Sequence, residues 1–391
     1  MIRRLAALAC ALPLLCAQAI ADDVAPVTPG YRPAVDTDEA GLWMMSDQAE
    51  ATMKSSPLLV KDPGLNAYVK GVACKIASEY CADMRIYILD IPYFNAAMAP
   101  NGSMQVWTGL LLRVHNEAQL ACILGHEMSH YMLRHTVAEW RRARDTTGAM
   151  AVVAILTAGA GVGIVGSLAN LVALNSLLSY SRDEERAADA NGQDLVYKAG
   201  YDPSQCAALW RAQMTEENAE PEHADTFQFL KSHPASQERL DTMQQRAAQM
   251  VAAANGRLQV GADILHAATA PFRGEWLREE IARSHFAQSL AVIQNLQADE
   301  PNSGLLQFYL GEVYRERNAP DDPARALTAY RAAVADGNAP PEVYRGLGLT
   351  EMKSGDKTDA STDFRHYLAL APAADDHAMI QYYLTQLGEP A

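Results

Sequence analysis

The sequence predicts a mainly α-helical protein, with helices and one small β-sheet in a first domain and only helices in a second. Apolar residues recur at helical spacing around residues 116–134 and again after about residue 256. Strand-like patterns are confined to short segments near residues 84–89 and 104–108. A chain of 391 residues is long enough for two domains with full cores.

The first 21 residues have the three parts of a secretory signal peptide. These are a positive start at residues 2–4, an apolar run over residues 5–15 and the small-residue exit Ala19-Ile20-Ala21. We therefore expect cleavage after Ala21 and delivery to the bacterial periplasm. The formal net charge of −15 disfavours nucleic acid as a partner and direct adhesion to anionic lipid surfaces.

The segment His126-Glu127-Met128-Ser129-His130 reads H-E-x-x-H. On a helix this spacing places two imidazoles one turn apart on one face, which suits two corners of a tetrahedral zinc site. Glu127 then lies where a carboxylate can take a proton from the attacking water. Apolar residues at helical spacing surround the motif, with Asn116 as N-cap, so we place it inside a helix. The alternative is a helix with solvated or acid-paired histidines.

A second motif lies in a charged helix that runs to Lys198, where Glu185 and Asp189 are four residues apart and share a face. A metal held by two neutral histidines needs a third ligand, which Glu185 can supply. Asp189 can accept a hydrogen bond from a ligand histidine and so orient its ring. The alternative is a solvated acidic face neutralised by nearby arginines.

Together, H-E-x-x-H and the later S-R-x-x-E-x-x-A-D resemble metallopeptidase family 48, which includes CAAX prenyl proteases, HtpX and periplasmic BepA-type proteases. Family-like segments at residues 95–102 and 108–111 precede the first motif, and His233-Pro234 with Arg239 resembles a later H-P-x-x-x-x-R element. The likeness covers roughly residues 40–250. It implies a gluzincin-type zinc metallopeptidase domain in which the zinc ligands are His126, His130 and Glu185, the general base is Glu127, and the supporting residues beside the ligands are Asp189 and Arg239.

His233 has three interpretations that the sequence leaves open. It could be a fourth zinc ligand on a movable loop that closes the site until substrate displaces it, because a four-ligand zinc site is inert. It could instead act catalytically by donating a hydrogen bond to the transition state, or it could cap a loop before Pro234. The gating interpretation predicts that His233→Ala changes activity without loss of metal.

A peptide substrate must lie extended across such a site. The segment from Met104 to Thr108 reads as a short strand that could pair with a peptide as an added strand. The alternative for this segment is ordinary packing within a sheet. The expected reaction is hydrolysis, in which Glu127 accepts a proton from water and returns it to the leaving amine.

The stretch from Thr146 to Ser181 contains no charged residue and is long enough to suggest a membrane helix. A single crossing would separate His130 from Glu185, although both belong to one metal site. Two crossings need about 40 residues plus a turn, which is more than the 36 residues from Thr146 to Ser181. Glycines within residues 159–166 instead predict a turn between two short apolar helices, a hairpin beside the cleft with at most peripheral membrane contact.

Four cysteines follow the signal peptide. Cys74 and Cys81 flank the end of one predicted helix and could form a disulfide in an oxidising compartment, the alternative being two buried thiols. Cys122 and Cys206 have no neighbouring cysteine in sequence. We expect Cys122, one turn before His126, to be a core residue.

Past about residue 256 the pattern changes to short amphipathic helices, and we place the domain boundary between residues 22–256 and 257–391. The spacing matches the tetratricopeptide repeat in two units, one at Gly311, Tyr314, Ala326, Tyr330 and Ala333, the other at Gly348, Ala360, Phe364 and Pro372. Residues 318–323 contain an insertion between the two helices of the first unit. Stacked repeats create a concave protein-binding surface. The alternative is a helical-hairpin domain with no partner role.

The sequence thus predicts a periplasmic endopeptidase with one zinc ion per chain that hydrolyses unfolded or misassembled polypeptides. The resemblance to BepA-type proteases implies outer-membrane protein quality control, with the repeats recruiting substrate or the assembly machinery. Two alternatives stay open: a chaperone or assembly adaptor with a latent protease site, and a hydrolase of non-peptide amides. If Glu127→Gln retained zinc and all cellular function, proteolysis would not be the principal activity.

Overall fold

The structure, a computed structural model, describes residues 25–147, 180–220, 229, 233–234, 236–254 and 256–388. The predicted signal peptide and nearly all of the predicted apolar hairpin lie outside the described residues, and both stay predictions. Within the described ranges, no helix combines the length and the apolar character needed to cross a membrane.

Helices dominate the described chain and one small sheet accompanies them, which confirms the mainly helical prediction. The helices are α1 (Asp38–Ser55), α2 (Pro63–Ile76), α3 (Thr108–Arg113), α4 (Glu117–Met132), α5 (His135–Thr147), α6 (Arg182–Lys198), α7 (Ser204–Asn218), α8 (Gln237–Ala253), α9 (Ala262–Ala282), α10 (Phe286–Asp299), α11 (Gly304–Arg317), α12 (Asp322–Asp336), α13 (Glu342–Ser354), α14 (Lys357–Leu370) and α15 (His377–Gln386). The strands are β1 (Arg85–Leu89), β2 (Ala96–Met98) and β3 (Ser103–Trp107).

The sheet has the order β1-β3-β2, with β3 parallel to β1 and antiparallel to β2. Every residue of β3 is buried, and both of its edges are hydrogen-bonded to neighbouring strands. The expectation that Met104 to Thr108 pairs with a peptide is therefore wrong, because a central strand has no free edge. Among the described residues, no strand pairs with the outer edge of β2.

Helices α4 and α6 begin at polar caps and pack unusually closely. Asn116 accepts a hydrogen bond from the Gln119 N–H at 2.9 Å at the start of α4, and Ser181 forms a capping box at the start of α6. Gly125 on α4 faces Gly192 on α6, where an added Cβ on Gly125 would lie 3.2 Å from the Gly192 carbonyl oxygen. This close approach brings the two predicted motifs together.

Two disulfides cross-link the part of the chain that precedes residue 256. One joins Cys74 to Cys81 at the end of α2. The other joins Cys122 on α4 to Cys206 on α7, across 84 positions of sequence. Cys122 is buried, as expected of a core residue, but it is bonded to a partner that sequence spacing did not indicate.

The helices after residue 300 pack as hairpins, α11 with α12 and α13 with α14. Glycines allow aromatic rings to approach closely: an added Cβ on Gly311 would lie 2.4 Å from the Tyr330 ring, and one on Gly348 would lie 2.7 Å from the Phe364 ring. The first hairpin has a longer connection than the second, which agrees with the expected insertion.

The predicted boundary near residue 256 lies between α8 and α9, but the hydrophobic core continues across it. Arg113, at the end of α3, is buried between Glu216 on α7 and Glu280 on α9, with N–O distances of 2.7 and 2.6 Å. Arg283 pairs with Glu280 at 2.8 Å. Burial raises the pKa of Glu216 to about 7, although the Arg113 charge opposes this shift. This ion network ties α9, which follows the predicted boundary, to α3 and α7, which precede it.

Candidate metal centre

Helices α4 and α6 present three potential ligands to one point. The Nε2 atoms of His126 and His130 are 3.1 Å apart. Glu185 Oε2 lies 3.6 Å from Nε2 of His126, and Glu185 Oε1 lies 3.5 Å from Nε2 of His130. Ligand atoms around a tetrahedral zinc ion with bonds of about 2.0–2.1 Å are separated by about 3.3–3.4 Å. These three residues therefore have the mutual spacing of metal ligands.

His233 lies at the same point and is 3% exposed. Its Nδ1 is 2.9 Å from Glu185 Oε1 and 3.1 Å from His126 Nε2, and its Nε2 is 3.5 Å from Glu127 Oε1. Four donor atoms, one from each of His126, His130, Glu185 and His233, all lie within 4.8 Å of one another. The structure thus brings His233 between the ligand set and the predicted base.

Glu127 is buried beside this cluster, at 2% exposure. In the part of the chain that the structure describes, its Oε1 has no hydrogen-bond partner. Burial raises the pKa of Glu127, although the histidine charges and a hydrogen bond from the Met98 amide lower it in part. An unpaired buried carboxylate oxygen is costly in a purely structural role, so this oxygen fits a group that receives a proton.

Strand β2 directs backbone groups toward Glu127. Its ladder hydrogen bonds to β3 include Trp107 N–H to Asn95 O at 3.0 Å and Ala99 N–H to Ser103 O at 2.8 Å. Because bonded and non-bonded positions alternate in an antiparallel pair, the N–H and C=O of Met98 point away from β3. The sheet edge that faces Glu127 is therefore the outer edge of β2, which sequence reasoning missed because it predicted β3.

Asp189 and Arg239 support the ligands from behind. Asp189 Oδ1 lies 3.1 Å from Nδ1 of His126. The Arg239 guanidinium donates two hydrogen bonds to Asp189, at 2.7 and 2.9 Å, and lies 2.7 Å from Glu185 Oε2. The structure thus places both residues beside the candidate ligands.

Two further residues contact His130 and were not singled out from the sequence. His135 Nδ1 lies 2.9 Å from His130 Nδ1. The Tyr180 ring stacks on His130 at a centroid distance of 3.9 Å, and its hydroxyl is 2.9 Å from the Thr136 hydroxyl. Burial lowers the pKa of His130 well below its ordinary value, which keeps it in the neutral form that a ligand needs. The sequence signal for His135 was its place five residues after the motif, beyond the helix end.

These residues can hold one metal ion. Three imidazole nitrogens and one carboxylate form a donor set that suits zinc among the divalent metals. The candidate ligands are buried, and their outer atoms are held by Asp189, Arg239 and His135. With a buried carboxylate beside the ligand set, the arrangement can support metal-assisted hydrolysis.

Comparison with known proteins agrees with this chemistry. Residues 60–247 match Peptidase family M48. Mitochondrial metalloendopeptidase OMA1 of Schizosaccharomyces pombe is 29% identical over 168 residues, 42% of this chain and 48% of that protein. Beta-barrel assembly-enhancing protease of Yersinia pestis is 25% identical over 244 residues, 57% and 50% of the two chains. Metalloprotease YcaL of Escherichia coli (strain K12) is 30% identical over 160 residues, 39% and 58%. The matched part spans about half the length of these relatives.

Proposed function

We propose that the chain is a zinc-dependent endopeptidase of unfolded or misassembled polypeptides, on the premise that residues 60–247 match peptidase family M48. The observation that carries the proposal is the convergence of His126, His130 and Glu185 at the spacing of tetrahedral ligands, with buried Glu127 beside them. His233 is the proposed fourth ligand.

The chain's own residues account for binding, orientation and proton transfer. The outer edge of β2 pairs with an extended substrate, and Met98 places the scissile bond beside Glu127. A bound zinc ion would polarise the peptide carbonyl and lower the pKa of the attacking water. Glu127 accepts the proton of that water and returns it to the leaving amine. Asp189 and Arg239 hold His126 and Glu185 in place during these steps.

His233 is proposed to keep the site closed until substrate enters. It occupies the space between the ligand set and Glu127, where water and the scissile carbonyl have to lie. We expect His233→Ala to raise cleavage of an unfolded protein while the bound zinc, measured by atomic absorption, stays at one per chain. A fall in activity with full zinc content would favour the transition-state donor, and complete loss of zinc would refute gating.

The second domain is proposed to be a tetratricopeptide domain that recruits substrates or assembly machinery in the periplasm. Helices α9, α11, α13 and α14 and residues 373–376 line a concave groove of about 820 Å³. Phe308, Tyr309 and Tyr367 lie beneath this groove and are nearly buried, while Arg278 and Arg345 supply positive charge among acidic residues. Similarity to a beta-barrel assembly-enhancing protease supports a role in outer-membrane protein quality control.

Glu127→Gln tests the proposed reaction directly. The amide keeps the size of the side chain but cannot accept the proton, so we expect full zinc content and loss of peptide cleavage. Glu79→Gln, which changes an exposed carboxylate, serves as the charge control. Cleavage by Glu127→Gln would refute the base assignment. Full cellular function of the inactive variant would favour the latent-site adaptor, and failure of both wild type and His233→Ala to cut unfolded proteins would favour a non-peptide amide substrate.

A further inference from the structure

The two histidines of the H-E-x-x-H motif have different partners behind their rings. His126 directs Nδ1 toward the carboxylate of Asp189, at 3.1 Å. His130 directs Nδ1 toward another imidazole, that of His135, at 2.9 Å. All four side chains are buried, with His130 at 0% and His135 at 8% exposure. The His130–His135 contact is therefore a shielded hydrogen bond between two ring nitrogens.

The protonation of the two rings determines which nitrogen donates the hydrogen bond in this contact. If His130 offers the lone pair of Nε2 to a metal, its neutral ring carries the proton on Nδ1. Two unprotonated nitrogens would repel at 2.9 Å, so the His130 N–H donates and Nδ1 of His135 accepts. The acceptor fixes both the tautomer and the orientation of the ligand ring.

The chain reaches this geometry through a turn at the end of α4. The helix ends at Met132, and Arg134 adopts a left-handed backbone conformation with φ of 59°. The side chain of Arg134 is held by an ion pair with Glu39 and by a hydrogen bond of 3.1 Å to the Tyr31 hydroxyl. An uninterrupted helix would carry residue 135 around the axis and away from the ring five positions earlier.

The segment just before the helix that carries Glu185 covers one face of the His130 ring. Tyr180, just before the N-cap of α6, stacks on the ring with an interplanar angle of 21°. Its hydroxyl is fixed by Thr136, the neighbour of His135 in α5. The ring of His130 is thus restrained by a hydrogen bond in its plane and by an aromatic face.

We propose that His135 is a positioning residue of the metal site, which orients His130 as Asp189 orients His126. This inference rests on the proposed metal site, because it assigns the acceptor behind one of its ligands. Removing such an acceptor lowers metal affinity by about 10- to 100-fold in comparable sites.

The test measures zinc affinity of the full chain by competition with a chromophoric chelator. His135→Asn retains an acceptor at the position of Nδ1, whereas His135→Phe fills the space without one. We expect near-wild-type affinity for the first and about 10- to 100-fold weaker binding for the second. His115→Phe is the matched control, because His115 pairs with Asp299 away from the site. The visible spectrum of the cobalt-substituted protein should change for His135→Phe but not for His135→Asn.

Equal affinity of wild type and His135→Phe would overturn the inference, as would equally weak binding by His135→Asn and His135→Phe. Where His135→Phe does not fold, as judged by circular dichroism, His135→Ala replaces it with the same expected loss. A wild-type chain that binds no zinc would refute the proposed function itself, whereas zinc binding that is insensitive to position 135 would refute only the inference.

Discussion

Glu216 provides a pH-dependent test of the buried ion network that joins α3, α7 and α9. Its side chain is 2% exposed and accepts a hydrogen bond from Arg113 at 2.7 Å. Burial raises its pKa from 4.5 to about 7. Glu216→Gln keeps an oxygen that can accept from Arg113 but removes the titration. The difference between the two proteins therefore isolates one carboxyl group.

The pH dependence of stability follows from the difference between the pKa of Glu216 in the folded state and in the unfolded state. Because the folded-state pKa is raised, the contribution of Glu216 to stability is fully present below about pH 4.5 and is lost as the pH rises through 7. One pKa unit corresponds to about 1.4 kcal/mol, so the full shift corresponds to roughly 3 kcal/mol, most of it between pH 5 and 8. The pKa of Glu280 is lowered by the charges of Arg113 and Arg283 against the effect of burial, so its contribution is lost only below pH 4.5.

The assay is urea unfolding of wild type and Glu216→Gln at pH 5, 6, 7 and 8. We expect the variant to gain about 2 kcal/mol relative to wild type across this range. Glu79→Gln should unfold in parallel with wild type. The reasoning is refuted if the stability difference between wild type and Glu216→Gln does not change with pH, or if it changes in the opposite direction.

Three further substitutions test local packing and backbone. Gly348→Ala should lower the unfolding free energy by about 1–3 kcal/mol because the new Cβ meets an aromatic ring, whereas Gly71→Ala, with open space around its Cβ, should be neutral or stabilising. Replacing Cys122 and Cys206 by Ala should cost about 2–5 kcal/mol in urea unfolding, and a reductant should then have little further effect on that part of the protein. Arg134→Val should be about 1 kcal/mol less stable than Arg134→Asn, because Asn tolerates the left-handed conformation and a β-branched residue does not; equal stability of these two variants would argue against backbone strain.

The helical architecture and the central residues of the site were predictable because they depend on short-range spacing. In H-E-x-x-H, a separation of four residues places His126 and His130 on one helix face whatever the rest of the chain does. The same spacing places Glu185 and Asp189 together on α6. The repeat spacing singled out Gly348 and Phe364 from the sequence, and the structure brings these two residues into contact.

Contacts that depend on how helices and strands are arranged in space could not be predicted from the spacing of residues in the sequence. Strand β3 lies at the centre of the sheet because it pairs in parallel with β1 and antiparallel with β2. The edge beside Glu127 therefore belongs to β2 and includes Met98. Cys122 and Cys206 become neighbours only because α4 packs on α7. The contact of His135 with His130 depends on the left-handed backbone conformation of Arg134, which turns α5 back toward α4.

The sequence by itself therefore determined which residues are the candidate ligands His126, His130 and Glu185 and the candidate base Glu127, because helical periodicity converts their spacing into geometry. Tertiary structure alone decided what lies behind and beside them. His135 reaches His130 only through a backbone turn, and His233 reaches Glu185 across 48 positions of sequence. Such contacts depend on packing between distant segments, which no local pattern encodes.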